Sequence, residues 1–217
     1  AQDAYSALSH QRAGDATKAG VFEKEIAPVE ITDRKGNVKV IDTDEGIRID
    51  TSAESLARLR PAFSHNGTIT AGNSSQISDG AAAVLVVSEE FAKKHDLAVL
   101  ASIEGFGNVA GPDNSLLSQP ANAIKQALRK KGWSVRDLKL IEINEAFASV
   151  ALKSMAELEV DESVVNIHGG AISLGHPIGA SGTRLAVHAI HQLAPGEKAA
   201  IGLCGGGGQG DAILFSA

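Results

Sequence analysis

The sequence predicts a layered α/β fold, a sheet covered by helices. Three observations carry that prediction. From Asp79 onward, short apolar runs alternate with segments of helical periodicity. The run Ala82-Ala83-Val84-Leu85-Val86-Val87 is continuously apolar, as strands buried on both faces are. Finally, 23 glycines among 217 residues crowd toward the last fifty positions, where they allow backbone or ligand to come close.

Taken in order, residues 2–18 place Tyr5, Leu8 and Ala13 at helical spacing. Residues 25–31 read as a strand, Asp33-Arg34-Lys35-Gly36-Asn37 as a turn, and residues 38–42 as the return strand. A polar loop leads to a short helix over residues 52–59, capped by Ser52 and stopped by Pro61. The stretches around His65-Asn66-Gly67 and Ala71-Gly72-Asn73 are irregular. This first third has few long apolar segments and reads as an elaborated surface region. Residues 82–87 then predict a doubly buried strand, and Ser88 caps a helix over residues 88–94. A strand follows over 99–109, then a helix over 120–131 that ends at Gly132. Residues 138–143 form the next strand, with a helix opening at Asn144 and running to about Leu158. Residues 164–166 are a short extended piece and 179–193 a helix. Two strands, 199–204 and 211–215, are joined by glycines and close the chain.

Lys plus Arg is 20 and Asp plus Glu is 26, for a formal charge of −6. A nucleic-acid-binding domain is ordinarily basic, so that class is disfavoured. Cys204 is the only cysteine, which excludes an intrachain disulfide and a cysteine-based zinc site. A reducing cytoplasm is the expected compartment. No apolar run approaches the ~18 residues of a membrane helix, and no signal peptide opens the chain. The chain starts without Met, and Ala1-Gln2-Asp3-Ala4-Tyr5 reads like the interior of a helix. A fragment of a longer protein is therefore expected.

Three segments carry the candidate chemistry. In Asn166–Gly182, His176 stands between Gly175 and Pro177 just before a helix start. Proline fixes the backbone on one side, glycine admits a substrate on the other, and a helix N-terminus favours developing negative charge. In Leu203–Asp211, Cys204 ends a strand and enters four consecutive glycines. No Lys-Ser or Lys-Thr follows, so this is not a phosphate-binding P-loop. Free glycine N–H groups there could form an oxyanion hole, and the thiol could serve as nucleophile or as acid/base. In the third segment, Asn144-Glu145-Ala146-Phe147-Ala148 follows a strand end, where ligands of open α/β sheets commonly sit. Each has a plainer reading: a satisfied histidine, an inert thiol on a hairpin, and an asparagine N-cap. His188 and His191 are three apart on a helix with no accompanying carboxylate, and read as structural or exposed rather than as metal ligands.

Together, Asn144-Glu145-Ala146-Phe147-Ala148, Gly169-Gly170-Ala171-Ile172-Ser173-Leu174-Gly175-His176-Pro177 and Cys204-Gly205-Gly206-Gly207-Gly208-Gln209-Gly210 resemble three signatures of the thiolases, in family order. The stretch from Ala71 through Ala82 is similar to the family's entry into its C-terminal domain. The wording around His176 is closer to acetyl-CoA acetyltransferases of biosynthetic type than to long-chain degradative members. The resemblance implies a thiolase-like layered fold with a mixed sheet, the second βαβαβαββ half. Part of a loop domain would precede it, with the loop domain over residues 1–76 and the C-terminal domain over 77–217.

What the resemblance implies for activity is condensation of two acetyl-CoA to acetoacetyl-CoA and CoA, or the reverse thiolysis. The nucleophilic cysteine of the family lies in an N-terminal half outside this chain, so the chain alone is expected to be inactive. By resemblance, Cys204 moves the α-proton and His176 activates the absent nucleophile. Asn144 positions an oxyanion-hole water, and the Gly206 N–H joins a second oxyanion hole. Ser75 meets the pantetheine arm of CoA, while Phe63, Ala71, Ala146 and Phe147 line its tunnel. Arg48 lies near the adenosine 3′-phosphate, where a guanidinium suits the charge. No metal or other cofactor is implied, since the CoA thioester is itself the substrate. Expected partners are acyl-CoA, the N-terminal half, and further copies in a homodimer or homotetramer. A role in fatty-acid and lipid metabolism goes with the family. Alternatives are a 3-ketoacyl-CoA thiolase of fatty-acid degradation, a non-catalytic CoA-binding short chain, and a ketosynthase-like condensing enzyme.

Overall fold

The computed structural model describes all residues from 1 to 217. Its centre is a four-stranded mixed sheet with helices on both faces. The chain opens with α1 (Gln2–Lys18), followed by a two-stranded antiparallel hairpin of β1 (Val29–Thr32) and β2 (Val38–Ile41). Asp33 closes that hairpin's turn by accepting from the Lys35 and Asn37 backbone N–H groups. Ser52 caps α2 (Ala53–Leu56) in a reciprocal box with Ser55. Ser88 likewise caps α3 (Glu89–Lys94) through the Phe91 N–H.

The sheet begins with β3 (Ser102–Ala110) and continues with α4 (Gln119–Lys131), β4 (Leu140–Ile143), α5 (Ala148–Leu158), α6 (Ala171–Leu174), α7 (Ser181–Gln192), β5 (Lys198–Gly205) and β6 (Gln209–Ser216). Strand order is β3-β6-β5-β4. Strand β4 runs parallel to β5, whereas β6 is antiparallel to both its neighbours. Val165 adds a single parallel bridge to Ile141 beyond β4, where the extended piece at 164–166 was expected.

Strand alternation sorts the core into two layers. Ile141 and Ile143 of β4, Ala200 of β5 and Leu214 of β6 face Ile124, Ala127, Val150 and Met155 of α4 and α5. Leu140, Ala199, Ile201 and Phe215 face Leu185 and Ala189 of α7. Each fully buried Leu or Ile contributes about 1.5–3 kcal/mol, so these layers hold the sheet together. Helix α4 has Pro120 in its first turn and Arg129, Lys130 and Lys131 in its last, matching the helix dipole. It ends at Gly132 in the left-handed region, φ 74°, as the sequence predicts.

Four expectations are corrected. Residues 82–87 form no strand and are not buried: Val84, Leu85 and Val86 are 43%, 77% and 66% exposed. No strand of this chain offers the apolar run a ladder. The strand expected from Val99 begins at Ser102. The first hairpin strand begins at Val29, after Pro28, and not at Glu25. The helix expected from Asn144 begins at Ala148: the chain bends at Ala146, Phe147 is extended and bridges to Ser74, and the Ala148 N–H donates to the Asn73 carbonyl.

Candidate active site

Asn144 continues the parallel ladder by one residue, its N–H donating to the Gly202 carbonyl at 2.9 Å. Two residues further along β5 stands Cys204. Neighbouring strands lie about 4.8 Å apart, so Asn144 and Cys204 leave the same carboxyl edge of the sheet. His176 reaches that edge from the loop between α6 and α7. Gly175, at φ 93°, turns the chain into it, and a Cβ there would collide with Ser78. The His176 N–H donates to the Gln76 carbonyl at 3.2 Å, while the Gln76 amide holds the carbonyls of Gly46, Ile172 and Ser173.

The imidazole is held at both nitrogens. Nδ1 lies 2.6 Å from Ser181 Oγ, and Nε2 lies 3.3 Å from Asn144 Nδ2. The Ser181 hydroxyl proton is committed to the Pro177 carbonyl at 3.0 Å. This assigns the proton of a neutral ring to Nδ1 and leaves Nε2 a lone pair, which accepts from the Asn144 amide. Burial, and then the Arg184 charge, lower the His176 pKa below its ordinary 6.5. The ring is therefore neutral and basic at pH 7. Asn144 is 1% exposed, and its Oδ1 has no hydrogen-bond partner in the protein. It is not a helix cap, since that position falls to Phe147.

Cys204 is partly buried and packs, with Ala146 and Phe147, at the fringe of the main core. Burial raises its pKa above 9.0, so it is a thiol at neutral pH. Gly206 is exposed in the β5–β6 turn, and its N–H donates to no acceptor in the protein. That turn is strapped down by Gln119, whose Nε2 donates to the carbonyls of Gly208 (2.5 Å) and Gly111 (2.8 Å). A free amide donor thus stands two residues past the thiol, on an anchored loop.

The other candidates divide. The Ser75 N–H donates to the Ala146 carbonyl at 3.0 Å, and Ser74 bridges to Phe147. Phe63 stacks edge-to-face on Phe147, with centroids 5.9 Å apart. Ala71 is exposed near Asn73, whose carbonyl accepts from the Ala148 N–H. Arg48 is exposed, and its backbone N–H binds His10 of α1 at 3.1 Å, so no contact brings it to the others. Two clefts of about 310 and 370 Å³ are formed elsewhere, and neither is lined by Asn144, His176 or Cys204. Asn144 and His176 are brought together, while no hydrogen bond joins Cys204 to either.

Sequence reasoning missed Glu145. Its carboxylate is fully buried and accepts from Tyr5 (2.8 Å), Ser9 (2.8 Å), Asn166 (3.0 Å) and the Ile172 N–H (3.1 Å). It ties α1, the β4 edge and α6 together directly behind the Asn144–His176 pair. Gly170 is glycine because a Cβ there would overlap that carboxylate. The signal lay in the sequence as an acidic residue beside an Asn at a strand end, but its partners on α1 are 136 and 140 residues away.

The thiolase N-terminal domain family model matches residues 1–90, and the thiolase C-terminal domain model matches residues 97–217. The chain belongs to the thiolase family. The "Probable acetyl-CoA acetyltransferase" of Mycolicibacterium smegmatis is 56% identical over 216 residues, which are 99% of this thiolase chain and 56% of that protein. The crystal structure of the Bacillus anthracis acetyl-CoA acetyltransferase superposes with a TM-score of 0.93 at 40% identity, over 99% of this chain and 55% of that one. Human mitochondrial 3-ketoacyl-CoA thiolase gives 0.90 at 40% identity, over 100% and 55%. This thiolase chain therefore spans just over half the length of the relatives it matches, and the expected fold class stands.

Proposed function

We propose that this chain is the C-terminal part of an acetyl-CoA C-acetyltransferase, with an acyl-CoA-binding site completed by an N-terminal half. The observation that carries the reading is His176. Its ring is neutral, tautomerically fixed by Ser181, and directs Nε2 to Asn144 at the carboxyl edge of the sheet, the edge at which β5 also ends, with Cys204 and then Gly206.

The reaction proceeds as follows. His176 takes the proton of a cysteine in the N-terminal half, and that thiolate attacks acetyl-CoA. The CoA thiolate leaves, taking the proton of the Cys204 thiol. Cys204, now a thiolate, removes an α-proton from a second acetyl-CoA and becomes a thiol again. The enolate attacks the acetyl-enzyme, a carbon–carbon bond forms, the bond to the nucleophilic sulfur breaks, and that sulfur takes its proton back from His176. Asn144, through a water that it positions, and the Gly206 N–H stabilise the two developing oxyanions. In thiolysis the protonated Cys204, favoured by its raised pKa, supplies the α-proton. Ser75, Phe63, Ala71, Ala146 and Phe147 form the CoA-facing wall, and Arg48 meets the phosphate end. No metal or cofactor takes part.

The apolar residues 84–86 are the docking edge for the N-terminal half, and the whole protein acts as a homodimer or homotetramer in the cytoplasm, in fatty-acid and lipid metabolism. No helix is long and apolar enough to cross a membrane. Domain boundaries at residues 76 and 77 remain part of this reading. A second reading, a 3-ketoacyl-CoA thiolase of fatty-acid degradation, draws on the likeness to the human mitochondrial enzyme.

The test joins this chain to the stretch of the M. smegmatis relative that it leaves uncovered. Acetoacetyl-CoA thiolysis is expected from the joined protein and not from the chain alone. Cys204→Ser should cut turnover by about 10²–10⁴-fold while acetyl-enzyme still forms, whereas His176→Ala should slow acetylation itself. Turnover by the chain alone, or full activity of both variants, overturns the proposal. Preference for longer 3-ketoacyl-CoA substrates selects the second reading.

A further inference from the structure

Beneath the candidate site, the α7 face of the sheet carries an ionic row that the proposed reaction does not use. Glu142 and Asn144 are two residues apart on β4 and so share that face. Ser181, Arg184 and His188 follow one another along α7 at three- and four-residue spacing. The two rows meet rung by rung. Asn144 touches His176, which is bonded to Ser181. One step deeper, Glu142 Oε2 lies 3.7 Å from Arg184 Nη1. Beyond that, His188 bonds Glu25 at 2.7 Å and His168 at 3.1 Å.

The Glu142–Arg184 rung is unlike the others. Glu142 is 0% exposed, and neither of its oxygens has a hydrogen-bond partner in the protein. Arg184 Nη1 and Nη2 are also buried without one. At 3.7 Å the pair is past hydrogen-bond range but well inside Coulombic range. Burying two charges costs several kcal/mol each, and directed bonds do not offset that cost here. What the pair offers is a field, placed one helical turn from the residue that orients His176.

We infer that Arg184, with Glu142 as its buried counter-ion, is a positioning residue that sets the proton affinity of His176. The inference rests on His176 acting as the base, as proposed above. The guanidinium charge opposes a second positive charge on the imidazole and keeps Nε2 free. The Glu142 carboxylate tempers that effect. Burial foremost, and Arg184 next, lower the His176 pKa. Burial raises that of Glu142, opposed by His188 and Arg184. The other charged or titratable groups facing this row are Asp44 and Glu25 from the 20–50 segment, Arg12 from α1, Glu145 from the β4 edge, and His168.

The signs provide the test. In the joined protein, His176 is titrated by NMR with ring-labelled histidine, its signal assigned by its loss in His176→Gln. Arg184→Gln should raise the His176 pKa and Glu142→Gln should lower it, each by about half a unit or more, as removal of a charge from a poorly solvated surrounding does. Arg184→Lys, which keeps the charge, should leave it near the parent value. The double variant Arg184→Gln/Glu142→Gln should fall between the singles. The acid limb of kcat/KM should move with each titration, with KM unchanged. If a single variant fails to fold, the Lys and double variants decide. Shifts of the same sign in both folded singles, or none in either, overturn the inference. The titration reads the coupling whatever the substrate, so a shifted His176 in an inactive protein would count against the thiolase activity alone.

Discussion

The apolar run at residues 82–87 and the apolar strand β5 have similar composition and opposite fates. Ala199, Ala200 and Ile201 are at most 2% exposed, flanked by β4 and β6 and covered by α4 and α7. Val84, Leu85 and Val86 lie outside any strand and are largely exposed. Burial is a property of a strand's neighbours, and a sequence declares a strand's need for neighbours without saying where they are. Leaving three such side chains exposed forgoes about 1.5–3 kcal/mol each on full burial, a driving force held for association. The β1–β2 hairpin makes the same contrast from the other side. Its apolar Val29, Ile31, Val38 and Val40 are 48–58% exposed, and its ladder rests on only four residue pairs.

The largest effect that would sharpen this comparison lies at Glu145. Glu145→Ala strands the Tyr5, Ser9, Asn166 and Ile172 donors in the core, and should cost at least about 4 kcal/mol, since each stranded buried donor costs about 1–3. Denaturant unfolding should show it, and α1 should lose amide protection first. A loss below 1 kcal/mol would mean that α1 is as loosely held as the hairpin.

A smaller effect follows from acid. His10, His168 and His176 all have pKa values lowered chiefly by burial. Below the ordinary value of about 6.5 the unfolded chain binds more protons than the folded one, so stability falls as pH drops from 6.5 toward 5. Carboxylates with lowered pKa, such as Glu104 beside Lys131, add their loss at lower pH. His10 lies on α1, and His168 and His176 lie on the loops either side of α6, so thermal melts should show the packed sheet and α1 loosening while the hairpin signal is unchanged. Stability that holds or rises across that window would break the account.

The smallest effect is the most diagnostic. Leu85→Asp should change the stability of this chain by less than about 0.5 kcal/mol, as an exposed substitution does. In the joined protein it should cost several-fold more and impair assembly, measured by sedimentation. Equal costs in both would mean that residues 82–87 gain no neighbours.

Much of the C-terminal half was legible. The helix over 119–131 had both an amphipathic face and a glycine stop, and the two last strands were bounded by glycines that could only turn. The strand end before Asn144, the Gly-Pro bracket of His176 and the glycine turn after Cys204 were readable as backbone features. Glu145 was not, because an acid near a helix start looks like a dipole partner until Tyr5 and Ser9 are folded onto it. Nor was the Glu142–Arg184 rung, since a lone Glu in an apolar strand and an Arg in a helix have no shared pattern in one dimension. The Asn144 cap failed for a related reason: Ser75 and Asn73 claim the backbone of residues 146 and 148 and delay the helix.

The Gln119 strap has an implication for anyone who would move this chemistry elsewhere. Consecutive glycines carry the greatest backbone freedom of any sequence and so lose the most on ordering. Here that freedom is quenched from a helix 89 residues upstream, at folding and before any ligand arrives. Transplanting Cys204–Gly210 onto another hairpin would carry the letters of the loop and leave its rigidity behind. A working graft has to bring the amide of Gln119, and the α4 turn that aims it, along with the glycines.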